Sequence, residues 1–172
     1  LCWNGEAWKF NDITCTGNDA QLVFNRLLQA IKPNTTSPFD TQAMHNVINT
    51  LRKVSGPSAF VFYDALNQRV FYGRDRLGRR SLLQRANSNG DILVSSVCQP
   101  SVSETWTEVK AGWIYVLDLA TYRRQGLNRA DTVEHEERID DSPEKLKQSH
   151  IGEALLAGLT ILVQTPRKIN SD

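Results

Sequence analysis

The residues best suited to chemistry sit in one short run, Gly73-Arg74-Asp75-Arg76-Leu77-Gly78-Arg79-Arg80-Ser81-Leu82-Leu83, where two glycines bracket a charged turn. Arginines around a backbone that glycine lets bend could gather an anion. The spacing does not make a phosphate cradle, because neither Gly-x-x-x-x-Gly-Lys-Ser/Thr nor Gly-x-Gly-x-x-Gly is present. The plainer reading is an exposed loop with its glycines at positive φ and its arginines in solvent. Asn4-Gly5 is, taken alone, a turn-forming pair that ends a short strand over Leu1 to Trp3. Cys2, Cys15 and Cys98 are odd in number and irregularly spaced, which fits neither a disulfide framework nor a zinc pattern, so reduced thiols are expected. Neither Cys15 nor Cys98 has a histidine nearby in sequence, and both read as structural. His135-Glu136-Glu137 has no second histidine at helical spacing, so it reads as a solvated run, and no metal site is expected.

These residues need elements to hold them. Asn18 or Asp19 can cap a helix whose apolar residues Ala20, Val23, Phe24, Leu27 and Ile31 recur at three- and four-residue spacing. Lys32 to Asp40, with two prolines and several Ser/Thr residues, reads as a surface connection. A second helix carries Met44, Val47, Ile48 and Leu51 on one stripe and stops at Gly56-Pro57. Ala59 to Tyr63 and Val70 to Tyr72 are apolar throughout, with a polar turn from Asp64 to Arg69 between them, and predict a hairpin. Because both faces of these strands are apolar, the sheet should carry a further layer on each side. More strands are expected at Ser81 to Arg85 and Ile92 to Ser96, joined by a turn over Asn87 to Gly90, and at Trp113 to Leu119. The reading is α+β, with mostly antiparallel sheet in the middle of the chain. Asn128 to Asp141 is strongly charged, as a solvated linker would be, and marks a boundary. Ser142-Pro143-Glu144 then starts a helix running towards Val163, with Ile151, Leu155, Leu159 and Leu162 on one stripe.

At 172 residues, 40% of them hydrophobic, the chain is the size of one domain and can bury an ordinary core. Its formal charge of +1 builds no broad field for nucleic acid or anionic lipid, so function must come from a local site. The longest apolar stretch, Ala154 to Val163, falls short of the roughly 18 residues of a membrane span. No secretory signal is visible, and a cytoplasmic location is expected. The first residue is Leu, so the sequence is expected to begin after processing or inside a longer chain.

Three segments carry a resemblance. Gly56-Pro57-Ser58-Ala59-Phe60-Val61-Phe62-Tyr63-Asp64, then Phe71-Tyr72-Gly73-Arg74-Asp75, then Gly78-Arg79-Arg80-Ser81-Leu82-Leu83 resemble, in order and spacing, the amidotransferase half of asparagine synthetases. Trp3-Asn4-Gly5-Glu6, Gly17-Asn18-Asp19 and Ser95-Ser96 also fall where that family has matching segments. The Arg-Arg-Ser-Leu-Leu ending looks closer to the branch of asparagine synthetase domain-containing proteins than to typical synthetases, which carry Pro-Leu there. The likeness covers roughly Leu1 to Leu119.

The resemblance implies a class II, Ntn-type glutamine amidotransferase domain, a four-layer αββα sandwich of antiparallel sheets, here incomplete at its N-terminus. Residues 1–127 would be the partial amidotransferase domain, and 128–172 a charged linker and helix leading towards an absent synthetase domain. In that family the Asn-Gly pair stabilises the oxyanion of the tetrahedral intermediate, a role that would fall to the Asn4 side chain and the Gly5 backbone N–H. The carboxylates that hold the α-amino group of glutamine would be Glu6 and Asp19. Family members use the cysteine that begins the mature chain as nucleophile, with its own α-amino group as base. Cys2 does not fit, since Leu1 blocks that amine and Trp3-Asn4 stands where the family has Gly-Ile, so the nucleophile is expected upstream and this stretch is expected to be inactive alone. The Ser-Gly-Gly-x-Asp-Ser loop that binds ATP in synthetase domains is absent from the sequence. No cofactor is therefore expected in this chain, and ATP and Mg belong to the absent synthetase domain. The expected partners are glutamine and the synthetase domain of the same parent, which would pass ammonia to activated aspartate to make asparagine. The alternative is a non-catalytic interaction or regulatory module on a degenerate amidotransferase fold.

Overall fold

The computed structural model describes residues 1–32, 41–86, 92–98, 105–119 and 133–138. Its centre is a sheet of five antiparallel strands. In spatial order these are β1 (Cys2–Gly5), β5 (Ser58–Asp64), β6 (Arg69–Arg74), β10 (Trp113–Asp118) and β11 (Val133–Arg138). Two small antiparallel sheets flank it. One is built from β2 (Lys9–Phe10), β3 (Ile13–Thr14) and β4 (Val54–Ser55), the other from β7 (Leu83–Ala86), β8 (Ile92–Ser95) and β9 (Thr107–Glu108). The helices are α1 (Asp19–Ala30) and α2 (Thr41–Arg52). The fold is α+β with antiparallel sheets, as expected.

Strand alternation sorts the central side chains onto two faces. Phe60, Phe62, Phe71, Ile114 and Val116 pack beneath the helices, against Val23 and Leu27 of α1 and Met44, Val47, Ile48 and Leu51 of α2. Ala59, Val61, Val70, Tyr72, Tyr115 and Leu117 pack on the other face against Ile92 and Val94 of β8, with Leu82 and Val109 from the segments beside it. Each fully buried Leu, Ile or Phe contributes about 1.5–3 kcal/mol through the area it removes from water. Tyr72 stacks on Tyr115 at 5.1 Å and donates its hydroxyl to Gln84 Oε1 at 2.9 Å, tying the two sheets together. The apolar hairpin thus has a layer on each side, as its two-faced pattern requires.

Asn18 caps α1, its Oδ1 accepting the N–H of Gln21 at 2.9 Å. At the far end of the sheet Arg69 and Asp118, paired across β6 and β10, form a buried ion pair at 3.1 Å. No helix among the described residues is long and apolar enough to cross a membrane.

The structure departs from expectation at several points. Asn4 and Gly5 belong to β1 rather than forming a turn that ends a strand at Trp3, because their backbone pairs with Ala59 and Ser58 of β5. Ser81 and Leu82 precede the strand rather than belonging to it, because β7 begins at Leu83. The second helix ends at Arg52, before Gly56-Pro57, because Val54 and Ser55 leave it to pair with β2. The charged stretch expected as a linker contains β11, which pairs along β10 with an irregularity between Val116 and Leu117. Backbone pairing makes no demand for apolar residues, and a charged sequence suits an outermost strand because it discourages further pairing. The turn expected over Asn87 to Gly90, most of the connection from Lys32 to Asp40 and the helix expected from Ser142 to Val163 lie outside the described residues.

Candidate functional site

Asn4 and Gly5 end β1, and their setting follows from its pairing. Trp3 lies opposite Phe60, Asn4 opposite Ala59 and Gly5 opposite Ser58. Phe60 belongs to the core beneath the helices and Ala59 to the core between the sheets. By alternation the Trp3 indole faces the helices and the Asn4 side chain points to the other face, where it is exposed. Backbone donors alternate as well. The N–H of Glu6 donates to Pro57 O and that of Trp8 to Ser55 O, each at 2.8 Å. Even-numbered N–H groups therefore point towards β5 and β4, and odd-numbered ones, Gly5 included, point to the outer side of this edge strand. Ala7 bears this out, its N–H reaching outwards to Asp19 Oδ2 at 2.6 Å.

Gly5 and Gly56 make this register possible. A Cβ on Gly5, at φ +154°, would stand 2.0 Å from Pro57 O, and one on Gly56, at φ +148°, would stand 2.0 Å from Glu6 O. Backbone meets backbone at both points, and no side chain fits between.

Asp19 opens α1 and uses its Oδ2 twice, for the Ala7 N–H and for Trp3 Nε1 at 3.3 Å. Glu6 is exposed, and its Oε2 accepts from Trp8 Nε1 at 3.2 Å. Asp19 Oδ1, Glu6 Oε1 and the Asn4 amide make no hydrogen bond with another described residue. The structure thus draws Asp19 onto the strand carrying Asn4, Gly5 and Glu6, but on the helix side, whereas Asn4 lies on the opposite face. A ligand touching both has to lie along the outer edge of β1.

None of the three cysteines is set up as a nucleophile for this site. Cys2 is half-buried against the core between the sheets, and Cys98 is exposed. Burial pushes the Cys15 thiol up, and the Asp19 carboxylate adds to the shift. A thiol held protonated is a poor nucleophile.

The arginine-rich loop is organised around Asp75, which is 8% exposed. Its carboxylate accepts from the N–H groups of Ser58 at 3.1 Å, Leu77 at 3.0 Å and Arg79 at 3.0 Å, and from Arg79 Nε at 3.1 Å. Burial pushes this carboxyl up. The N–H donors of Ser58, Leu77 and Arg79, with the Arg79 guanidinium, outweigh burial and hold it below its usual range. Converging N–H groups of this kind form an anion nest, and here the nest is filled by the loop's own carboxylate. Arg74 is not in solvent, as the plainer sequence reading had it, but 6% exposed. It donates to the carbonyls of Arg80 at 2.8 Å, Val109 at 3.0 Å and Gly78, and meets the exposed Glu108 at 3.2 Å.

Sequence reasoning did not foresee the pairing of Arg79 with Trp8, whose ring lies 4.9 Å beneath the guanidinium carbon. No local signal links two residues so far apart in the chain. Between this pair and α2 lies a groove of about 330 Å³, walled by Trp3, Leu51, Val54 and Phe60, with Leu77 and Arg79 among the residues of the loop that line it. None of Asn4, Gly5, Glu6 and Asp19 lines it.

No family model matches the chain. Asparagine synthetase domain-containing protein 1 of Mus musculus is 34% identical over 120 residues, covering 68% of this chain and 17% of that protein. The protein of the same name from Homo sapiens is 31% identical over the same shares. An asparagine synthetase domain-containing protein of Saccharomyces cerevisiae is 27% identical over 121 residues, covering 70% of this chain and 20% of its own length. The aligned part of the chain thus spans a fifth or less of these curated relatives.

Proposed function

The chain belongs to the asparagine synthetase domain-containing family, and from that premise we propose that it forms the glutamine-binding part of an amidotransferase domain whose parent hydrolyses glutamine and supplies the ammonia for ATP-dependent asparagine formation from aspartate. What supports this reading is the exposed, unengaged Asn4 amide on an edge strand, beside a Gly5 N–H that the alternation of its neighbours' donors directs outwards. A glutamine amide under attack gathers negative charge on its oxygen, and two such donors can meet it. Asp19 Oδ1 and Glu6 Oε1 are the carboxylate oxygens offered to the α-amino group.

In this reading the nucleophile comes from a segment other than these residues, the complete domain is an Ntn-type αββα sandwich, and the protein works in the cytoplasm. Cys2 packs against the core between the sheets, which suits a structural thiol. ATP and Mg would bind a synthetase domain of the same parent.

The test is glutaminase activity of the intact parent beside Asn4→Ala. A loss of about a hundredfold or more in kcat is expected from removing one oxyanion donor. Equal background rates in the two proteins would favour a non-catalytic interaction module instead.

A further inference from the structure

We infer that the groove on the helix side of β1 binds a small carboxylate with an apolar body, at a site separate from the Asn4 corner. Its walls are large and apolar. Trp3, Leu51, Val54 and Phe60 enclose about 330 Å³, within the size range of small-molecule pockets. Polar character is concentrated where the loop closes the groove. Asp75 lines the groove too, but its carboxylate already accepts four hydrogen bonds, one of them from Arg79 Nε, so the two Nη groups of Arg79 are the donors left to meet a ligand.

Arg79 is fixed in place. Its Nε is held by Asp75 at 3.1 Å and its face rests on Trp8, while neither Nη group bonds to another described residue. A guanidinium already fixed in its plane loses little freedom when a carboxylate docks on its fork, which favours binding. Leu77, 74% exposed beside it, offers the ligand's apolar part a contact that water does not satisfy. Phosphate fits less well. The N–H groups of Ser58, Leu77 and Arg79, the natural donors for a cradle, all point at Asp75. A fully polar ligand such as glutamine would leave its amide against Trp3 and Phe60 without partners.

The test uses the full-length protein, with 3-phenylpropionate as probe and calorimetry and ligand-observed NMR as readouts. Saturable binding is expected. It should weaken at least about tenfold for 3-phenylpropanamide, which lacks the charge, and equally in Arg79→Gln. Because Arg79→Gln also removes a contact to Asp75, Leu77→Asp supplies a second variant at an exposed position. It should lose affinity by about tenfold while melting at the parent temperature. Inorganic phosphate should not compete, and Asn4→Ala should bind the probe normally even if it abolishes glutaminase activity. Absence of saturable binding, equal affinity for acid and amide, undiminished binding by Leu77→Asp, competition by phosphate, or loss of binding in Asn4→Ala would each overturn the assignment.

Discussion

Ser58 and Asp75 hold each other in both directions: the Asp75 N–H donates to Ser58 O at 2.8 Å, and the Ser58 N–H donates to Asp75 Oδ2 at 3.1 Å. The exchange carries the pairing of β5 and β6 past the end of β6 and fixes where the arginine-rich loop begins.

Asp75→Asn should therefore destabilise the protein by about 2–4 kcal/mol, since the amide has one acceptor oxygen for four donors and no charge to assist them. The carboxyl is depressed in the folded state, so its contribution is complete above the unfolded-state pKa of about 3.9 and is lost as pH falls through the lower folded value. Urea denaturation at pH 7 and across the acid range measures both effects. The wild-type stability curve should fall more steeply below about pH 4 than that of Asp75→Asn.

Gly5→Ala places a methyl group into Pro57 O and should cost about 2–4 kcal/mol, combining overpacking with an unfavourable φ. Gly17→Ala separates the two causes. Gly17 has φ +81°, and a Cβ there would meet nothing within 4 Å, so only the backbone penalty of about 1 kcal/mol remains. Similar losses in the two variants would refute the role given to close backbone approach.

Asn4→Ala and Asp19→Asn should divide the two proposed roles. The first should lower kcat by about a hundredfold with little change in melting temperature, because the Asn4 side chain is exposed and bonds to no other described residue. The second keeps an oxygen for the Ala7 N–H but removes the charge offered to an α-amino group. It should raise KM for glutamine about tenfold and alter kcat less. Steady-state kinetics on the intact parent decides both.

Arg74→Lys should cost about 2–4 kcal/mol, because one ammonium cannot reach the carbonyls of Gly78, Arg80 and Val109 together. Retention of wild-type stability by the lysine variant would show that charge alone is needed there.

Much of the fold was legible because its signals are local. Asn18 begins a helix with an acceptor for its first free N–H groups, and the stripe of Met44, Val47, Ile48 and Leu51 is wholly buried. The two-faced apolar hairpin announced layers on both sides, and the sorting of its residues between the two cores follows from alternation alone. What escaped the sequence depends on distant partners. Arg74 reads as a solvent arginine because the carbonyls of Val109 and Arg80 that enclose it leave no mark on its neighbours in the chain, and β11 is held by backbone pairing, which leaves no apolar trace. At the candidate site, the motif named Asn4, Gly5, Glu6 and Asp19. It could not say that Trp3 and Ala7 would draw Asp19 to the opposite side of the strand from Asn4, because that follows from where α1 starts in space.

A turn that carries its own counter-ion keeps one shape whether or not anything is bound outside it. The outward-facing side chain at Leu77, whose backbone N–H alone serves the turn, can then be exchanged over generations without rebuilding the scaffold beneath. Recognition and architecture, lodged in neighbouring residues, are free to diverge at different speeds.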